Sequence, residues 1–385
     1  MSIDLPFHRP WLEEDEINEV VDTLKSGWLT TGPKTQHFEN DFKEYVGARH
    51  AIGLNSCTAG LKLAVISAGF KDGDEVITTP MTFPATSNVL VLERLRPVFV
   101  DIEPETLNLD VKKIESKITT RTRGILPVHF AGHPCDMDVI QDIARRKGLA
   151  VIEDGAHAMD ARYKGVPIGG LGNPTAFSFY ANKNITTGEG GMLTLDDDAR
   201  AELLRAMRLH GLSRDAWKRF GNSGFAHWVL QEPGFKYNMS DINASLGIHQ
   251  LKKAPRFLKL RQEYAEIYDQ AFRDEPAIEI FQTRDYALHA RHLYLIALKL
   301  EQLTITRDEF LNLIQATGIG VAVHYIALHL QPFYQKEFGY KAEDFPIATR
   351  YSNRVVSLPL YPKMTHEDVA RVIDTTLGLI KKYRK

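Results

Sequence analysis

Lys183 stands where an amine can do chemistry. Before it, residues 176–180 alternate Phe177 and Phe179 with Ala176, Ser178 and Tyr180, the period-2 pattern of a strand. After it come Thr186-Thr-Gly-Glu-Gly-Gly191, then a second strand that continues with Met192, Leu193, Thr194 and Leu195. Glycines in such a turn let backbone approach a ligand closely. A lysine taken out of water loses its charge readily and becomes a nucleophile toward carbonyl carbon. A polar hairpin with a solvated lysine explains the same residues. On this stretch alone that plainer reading is the better one, and what changes the balance lies upstream.

The segment Leu149-Ala-Val-Ile-Glu153-Asp154-Gly-Ala-His157-Ala158 is a hydrophobic strand ending in two acids. In open α/β sheets ligands sit beyond the carboxyl ends of strands, which places Asp154 toward a cofactor, with His157 about one turn on. A helix cap is the alternative, and it suffices for Glu153. His50-Ala-Ile-Gly-Leu-Asn55 reads as a short strand, followed by Ser56-Cys57-Thr58-Ala59-Gly60 and an apolar helix. Strand, small polar turn and helix present free N–H groups to an anion, and Thr58 adds a hydroxyl. An ordinary N-cap explains that turn equally. Phe83, past the strand 74–80, can stack on a planar ring or fill a core. His129, His133 and Cys135 bring metal-ligating types together. Gly132 and Pro134 break the geometry and no second pair completes a zinc set, so the expectation is a loop without metal.

These residues need an architecture to hold them. A chain of 385 residues suits a large α/β domain with a smaller one. Hydrophobic content of 44% and charged content of 25% are those of an ordinary globular protein, and a net charge of −2 argues against a nucleic-acid surface. The start lacks the pattern of a signal peptide, no apolar run reaches the length of a spanning helix, and two cysteines fit a reducing compartment. No membrane partner and a cytoplasmic location are therefore expected. Helical spacing predicts helices over 14–26, 35–46, 110–118, 137–147 and 199–214, the last basic through Arg200, Arg205, Arg208 and Arg214. Strands are expected at 97–101 and 124–129. A helix over 242–251 precedes a domain boundary near Ala254-Pro255, and a long helix follows it. The last third reads as α+β, with strands 292–298 and 320–325 and helices opened by the capping box Thr306-Arg-Asp-Glu309 and by Thr365.

Taken together, the segments resemble a pyridoxal-phosphate (PLP) aminotransferase of fold type I, and more narrowly the DegT/StrS sugar-nucleotide aminotransferases. The matching stretches span nearly the whole chain in order. They are Ser26-Gly-Trp-Leu-Thr-Thr-Gly-Pro33, Asn55-Ser-Cys-Thr-Ala59, Val151-Ile-Glu-Asp154-Gly-Ala-His157-Ala158, the run from Ser178 through Lys183 to Gly191, Tyr237-Asn238-Met-Ser-Asp241 and Ser357-Leu-Pro-Leu360. Cys57 stands where a smaller residue or serine is commoner. Phe7-His-Arg-Pro10, Pro127-Val-His-Phe-Ala-Gly132 and Thr317-Gly-Ile-Gly320 are similar to the members that make UDP-4-amino-4-deoxy-L-arabinose for lipid A.

The resemblance implies a three-layer α/β/α PLP domain over 1–254 with a mainly parallel sheet, and a smaller α+β domain over 255–385. It implies Lys183 as the lysine that holds PLP and Asp154 as the acid on the pyridine nitrogen. His157 falls near the ring oxygen O3′ and Phe83 on the ring face. Thr58, the Ala59 backbone and Ser178 fall on the phosphate. Asn238 reaches the neighbouring subunit's phosphate, which implies a homodimer with shared active sites. Trp28, Thr30, His324, Tyr325 and His329 are expected near the sugar. The implied reaction moves an amino group from L-glutamate, leaving 2-oxoglutarate, to a 4-keto nucleotide sugar in polysaccharide, lipopolysaccharide or antibiotic amino-sugar synthesis. A 3-aminotransferase and a non-catalytic regulator are the alternatives. The lysine, where dehydratase relatives carry histidine, favours transamination.

Overall fold

The computed structural model describes residues 3–212, 229–230 and 232–385. Its central sheet begins with the parallel strands Arg96–Phe99, Glu75–Thr78, Thr122–Ile125 and Ala150–Val151. The chain then steps at Ile152 into Glu153–Asp154, which pairs parallel with Thr175–Ser178. Gly191–Leu195 lies antiparallel to Thr175–Ser178 and to His50–Leu54 at the far edge. The expected single strand at 149–154 is thus two short ones. Their pairing partners lie on opposite sides of the sheet, so this segment joins its two halves.

Alternation along the strands builds two cores, because successive side chains point to opposite faces. Phe177, Phe179 and Met192 face one way, against Phe38 and Phe42 of Pro33–Val46, Ile140 of Met137–Lys147 and Ile248. Ala176, Leu193 and Ile52 face the other way, against Leu61 and Val65 of Cys57–Ser67, Leu90 of Pro84–Leu92 and Leu204 of Asp198–Met207. Helices on both faces of a mostly parallel sheet make the three-layer architecture.

Asp241–Phe272 is one helix, with Pro255 inside it. Two helices separated near Pro255 were expected. Proline forfeits a backbone bond there, but the helix is held on both sides of it. Ile248, Leu251, Ala254 and Phe257 are buried in the first core, whereas Tyr264, Tyr268 and Phe272 enter a separate one. That second core packs the antiparallel strands Ile278–Ile280, Tyr294–Leu298 and Val355–Leu358 under Arg307–Gln315 and His366–Tyr383. Thr306 and Thr365 cap those last two helices with full capping boxes, as the sequence predicts.

Other expectations need correction. Residues 110–118 form the short 3-10 turns Val111–Lys113 and Glu115–Lys117, because the backbone bonds there reach back three residues, Lys113 N to Asp110 O and Lys117 N to Ile114 O, both at 3.0 Å. The strands expected at 97–101 and 124–129 end at Phe99 and Ile125. Residues 320–325 form no ladder strand; Gly320 N donates to Leu5 O at 2.8 Å, and Ala322 makes a single bridge to Ser357. The basic helix ends at Met207, where Arg208 turns in to Glu39 and to Gly53 O. Arg214 lies outside the described residues.

Candidate active site

Strand ends and helix starts converge on Lys183. Its backbone N–H donates to Tyr180 O at 2.9 Å, closing a tight turn after Thr175–Ser178. Its side chain is half-buried. Loss of hydration lowers the ammonium to about 8, although the charges of Cys57 and Asp154 pull the other way.

Asp154 ends its strand in register with Ala176. Its carboxylate is buried. Oδ2 accepts from Thr86 Oγ1 at 2.7 Å, and Oδ1 accepts from Ala156 N at 3.0 Å. Burial raises its pKa in spite of both bonds and of the Lys183 charge. A carboxylate in that condition gains from a cation placed against it. Thr86 also lies 2.8 Å from Thr82 Oγ1. Phe83 begins the same helix, and its ring is 59% exposed. An open aromatic face within one turn of Thr86, which bonds the buried carboxylate, suits a planar heterocycle.

The anion end of the site is the start of Cys57–Ser67. Ser56 Oγ accepts from Ala59 N at 3.1 Å. Helix geometry leaves the Cys57 and Thr58 N–H groups without acceptors inside the helix, and Thr58 is exposed. The Ala59 amide, expected as a phosphate contact, is engaged by Ser56 in this chain. Cys57 Sγ lies 3.5 Å from Ala176 O, and Gly155 N donates to the same carbonyl at 2.8 Å. The helix start, the Asp154 turn and the strand carrying Ser178 thus share one anchor. Ser178 Oγ accepts from Tyr180 N at 3.4 Å. Gly191 permits this approach, since a Cβ there would stand 2.4 Å from the Ser56 carbonyl carbon.

His157 and Tyr325 meet, with Nε2 and the phenol oxygen 3.1 Å apart. Tyr325 also approaches the Phe83 ring, at 6.2 Å between centroids. His324 Nδ1 lies 2.8 Å from Ser357 Oγ, and its ring stacks on Phe7 at 5.5 Å. Burial, then the Lys183 charge, lowers His324 to about 3, so the ring is neutral at physiological pH.

The other expected residues stand elsewhere. Asn238 donates to Thr31 Oγ1 at 2.6 Å and accepts from Lys236 Nζ at 2.7 Å. Trp28 donates to Thr31 O at 3.1 Å, and Thr30 O accepts from Asp241 N at 3.3 Å, so both belong to the loop at the start of the long helix. His329 is fully buried between Thr349 and Phe345 and offers no open surface in this chain. Sequence reasoning passed over Thr86, although it lies one helical turn from Thr82 and just after Phe83. It also passed over Asn184, beside Lys183, and His292. Of the tempting metal trio, His129 bonds Glu153 at 2.8 Å and takes Cys135 N at 3.1 Å, while His133 is 2.7 Å from Pro134 O.

An amine of lowered pKa, a buried carboxylate, an open aromatic face and a helix start with free N–H groups fit the aldehyde, pyridine nitrogen, ring and phosphate of PLP. On a three-layer α/β/α scaffold, that set defines a PLP-dependent aminotransferase of fold type I. Comparison with known proteins narrows the class: residues 10–376 match the DegT/DnrJ/EryC1/StrS aminotransferase family, and the chain belongs to it. It is 52% identical to the uncharacterized protein MJ1066 of Methanocaldococcus jannaschii, covering 99% of this chain and 98% of that protein. It is 46% identical to the spore coat polysaccharide biosynthesis protein SpsC of Bacillus subtilis, covering 98% and 97%. Among solved structures, the PMP-form of the putative sugar aminotransferase Spr1654 from Streptococcus pneumoniae superposes with a TM-score of 0.92 at 33% identity, covering 98% of this chain and 100% of that one. The PLP-form of Spr1654 gives 0.91.

Proposed function

We propose that this chain moves an amino group from L-glutamate to the C4 keto carbon of a nucleotide-linked sugar. The observation that carries the reading is the Lys183 amine, which loss of hydration lowers to about 8 against the opposing pull of the buried Asp154 carboxylate. Bound PLP supplies the electron sink and carries the nitrogen between donor and acceptor. Lys183 holds the aldehyde carbon at rest. As a free amine, Lys183 would move a proton to and from the amino acid Cα, work that needs a pKa near the operating pH. Asp154 keeps the pyridine nitrogen protonated, since opposite charge favours the charged form. Thr58, Ser178 and the start of Cys57–Ser67 hold the phosphate, where the helix dipole favours an anion. Phe83 covers the ring, and His157 lies toward its oxygen side, bonded to Tyr325.

On the sugar side, His324 and Tyr325 carry most weight, because Tyr325 bonds His157 and the Lys183 charge acts on His324. Trp28 and Thr30 join them from the loop at 28–33, and buried His329 acts through the packing around it. Asn238 serves the neighbouring subunit's phosphate in a homodimer. Exposed Ile17, Val21 and Leu24, on one face of Glu14–Ser26, support an association surface. The PLP-binding domain covers 1–254 and the small domain 255–385. Likeness to SpsC supports a place in polysaccharide synthesis, with lipopolysaccharide as one product class. A cytoplasmic setting agrees with two unpaired cysteines; among the described residues no helix is long and apolar enough to cross a membrane. The test is transfer from L-glutamate to matched 3-keto and 4-keto nucleotide sugars, followed as 2-oxoglutarate. Turnover with the 4-keto sugar is expected. Turnover with the 3-keto sugar alone, or with neither, overturns the reading.

A further inference from the structure

The polarity of the hydrogen bond between His157 and Tyr325 is set from behind. His157 is buried, and its Nδ1 accepts the Ala131 backbone N–H at 3.3 Å. An amide N–H only donates, so Nδ1 presents its lone pair. Burial, then the Lys183 charge, holds the ring well below its ordinary range, so it is neutral and carries its single hydrogen on Nε2. That hydrogen points at the Tyr325 oxygen, 3.1 Å away.

The ring has little freedom to turn over. It packs on His292 with centroids 4.4 Å apart. His292 is fixed in turn: Asn184 donates from Nδ2 to Met159 O at 3.3 Å and to Ala290 O at 2.9 Å, so Asn184 Oδ1 faces His292 Nδ1 at 3.1 Å and must receive its hydrogen. Each assignment follows from the network of partners. Backbone carbonyls and one backbone N–H therefore decide the tautomers of both histidines.

A phenol that accepts from His157 has to aim its own hydrogen elsewhere. Burial, then the charge of Asp154, pushes the Tyr325 phenol upward, so it keeps that hydrogen. The Tyr325 ring is held between Phe83 at 6.2 Å and Phe130 at 6.1 Å. We propose that Tyr325 is a fixed hydrogen-bond donor to a lone pair on a ligand oxygen, and that His157 is the positioning residue that imposes this polarity. The inference rests on the aminotransferase reading of the same site. The oxygen belongs either to the cofactor ring or to the sugar's keto group.

Two measurements on the PLP-loaded enzyme test it. The first is nitrogen NMR of 15N-histidine protein, with the His157 signals found by difference against His157→Gln. A neutral Nε2–H pattern, unchanged from pH 6 to pH 8.5, is expected (roughly the range over which an ordinary histidine titrates and beyond). An Nδ1–H pattern, or a signal that titrates, overturns the proposal. The second is Tyr325→Phe, which keeps the ring and loses the donor. If the oxygen is the cofactor's, the absorbance of bound PLP against pH shifts while the sugar KM holds. If it is the keto oxygen, kcat/KM for a UDP-linked 4-keto sugar falls about tenfold and the absorbance curve holds. His157→Phe should copy whichever change is seen, and His157→Gln, which retains an N–H, should restore part of it. Tyr325→Phe leaving the absorbance curve unmoved without a loss in kcat/KM overturns the proposal. Failure of the wild type to aminate any keto sugar would instead defeat the functional reading, and the NMR and absorbance results would still be read.

Discussion

Thr86 Oγ1 donates to Asp154 Oδ2 at 2.7 Å, across 68 positions of sequence. The bond joins the start of the Phe83 helix to the strand end that carries the buried acid. It favours the ionised carboxylate against the burial that opposes it. Thr86→Val keeps the shape and removes the donor. Hydrogen bonds to charged groups contribute about 1.5–3 kcal/mol. PLP affinity should fall by about tenfold or more, and kcat should fall with it. Spectrophotometric titration of the apoenzyme with PLP checks this, and wild-type affinity would rule out a role for Thr86 in holding the acid.

Lys183→Ala should show no turnover and no borohydride-fixed cofactor. The pH dependence is more discriminating. With the amine at about 8, the apoenzyme's condensation with PLP should accelerate up to about pH 8 and then level off. A solvated lysine would keep gaining toward about 10.4. Stopped-flow absorbance between those limits separates the two, and a rate still climbing at pH 9.5 (an order-of-magnitude marker between them) would contradict a desolvated amine.

Much of this site was legible because local pattern and fold rule coincide. Lys183 follows an alternating strand, Asp154 ends a hydrophobic one, and parallel sheets gather such ends on one side. The loop that leads to Asp241 and the segment at 26–33 were matched as stretches, but what links them was not. Asp241 Oδ1 takes Gly32 N at 2.7 Å and Thr35 Oγ1 at 2.7 Å, contacts set by packing alone. The same holds for Asn184 and His292, which are 108 positions apart. Residues 320–325 misled because their alternation is genuine, yet Leu5 takes the hydrogen-bonding edge that a neighbouring strand would have used. Pro255 misled because a local rule against proline in helices was outweighed by burial on either side of it.

Asp160 offers a stability test with an unusual sign. Its Oδ1 accepts from Tyr45 at 2.5 Å, while Oδ2 is buried without a hydrogen-bond partner. Burial raises the carboxyl to about 6, although Tyr45, Arg261 and Arg162 act to lower it. Between about 3.9, its unfolded value, and 6 the folded protein binds the extra proton. Stability from this group is therefore present at low pH and lost as pH rises through 6. Asp160→Asn keeps an acceptor for Tyr45 and removes the titration. Relative to the wild type, the variant should gain stability as pH goes from 4 to 7 (roughly the span of the shifted titration). Chemical denaturation at each pH gives the difference, and a parallel pair of curves would refute the assignment.

Gly191 is the position where the smallest change should do the most to the phosphate end. It opens the strand Gly191–Leu195, pairs with Leu54 and Ser178, and lies against the 56–57 backbone. An added Cβ would stand 2.4 Å from Ser56 C and 2.5 Å from Cys57 N. Backbone cannot swing aside as a side-chain tip can, so either the strand or the helix start has to move. Overpacking of this kind costs about 1–3 kcal/mol. The displaced groups are those that carry the open N–H groups, so Gly191→Ala should weaken PLP more than it weakens pyridoxal, which has no phosphate. A structural defect alone would lower Tm and weaken both ligands alike. Measuring the two affinities beside Tm tells these apart, and an unchanged ratio of PLP to pyridoxal affinity would remove the Cys57 helix start from the phosphate site.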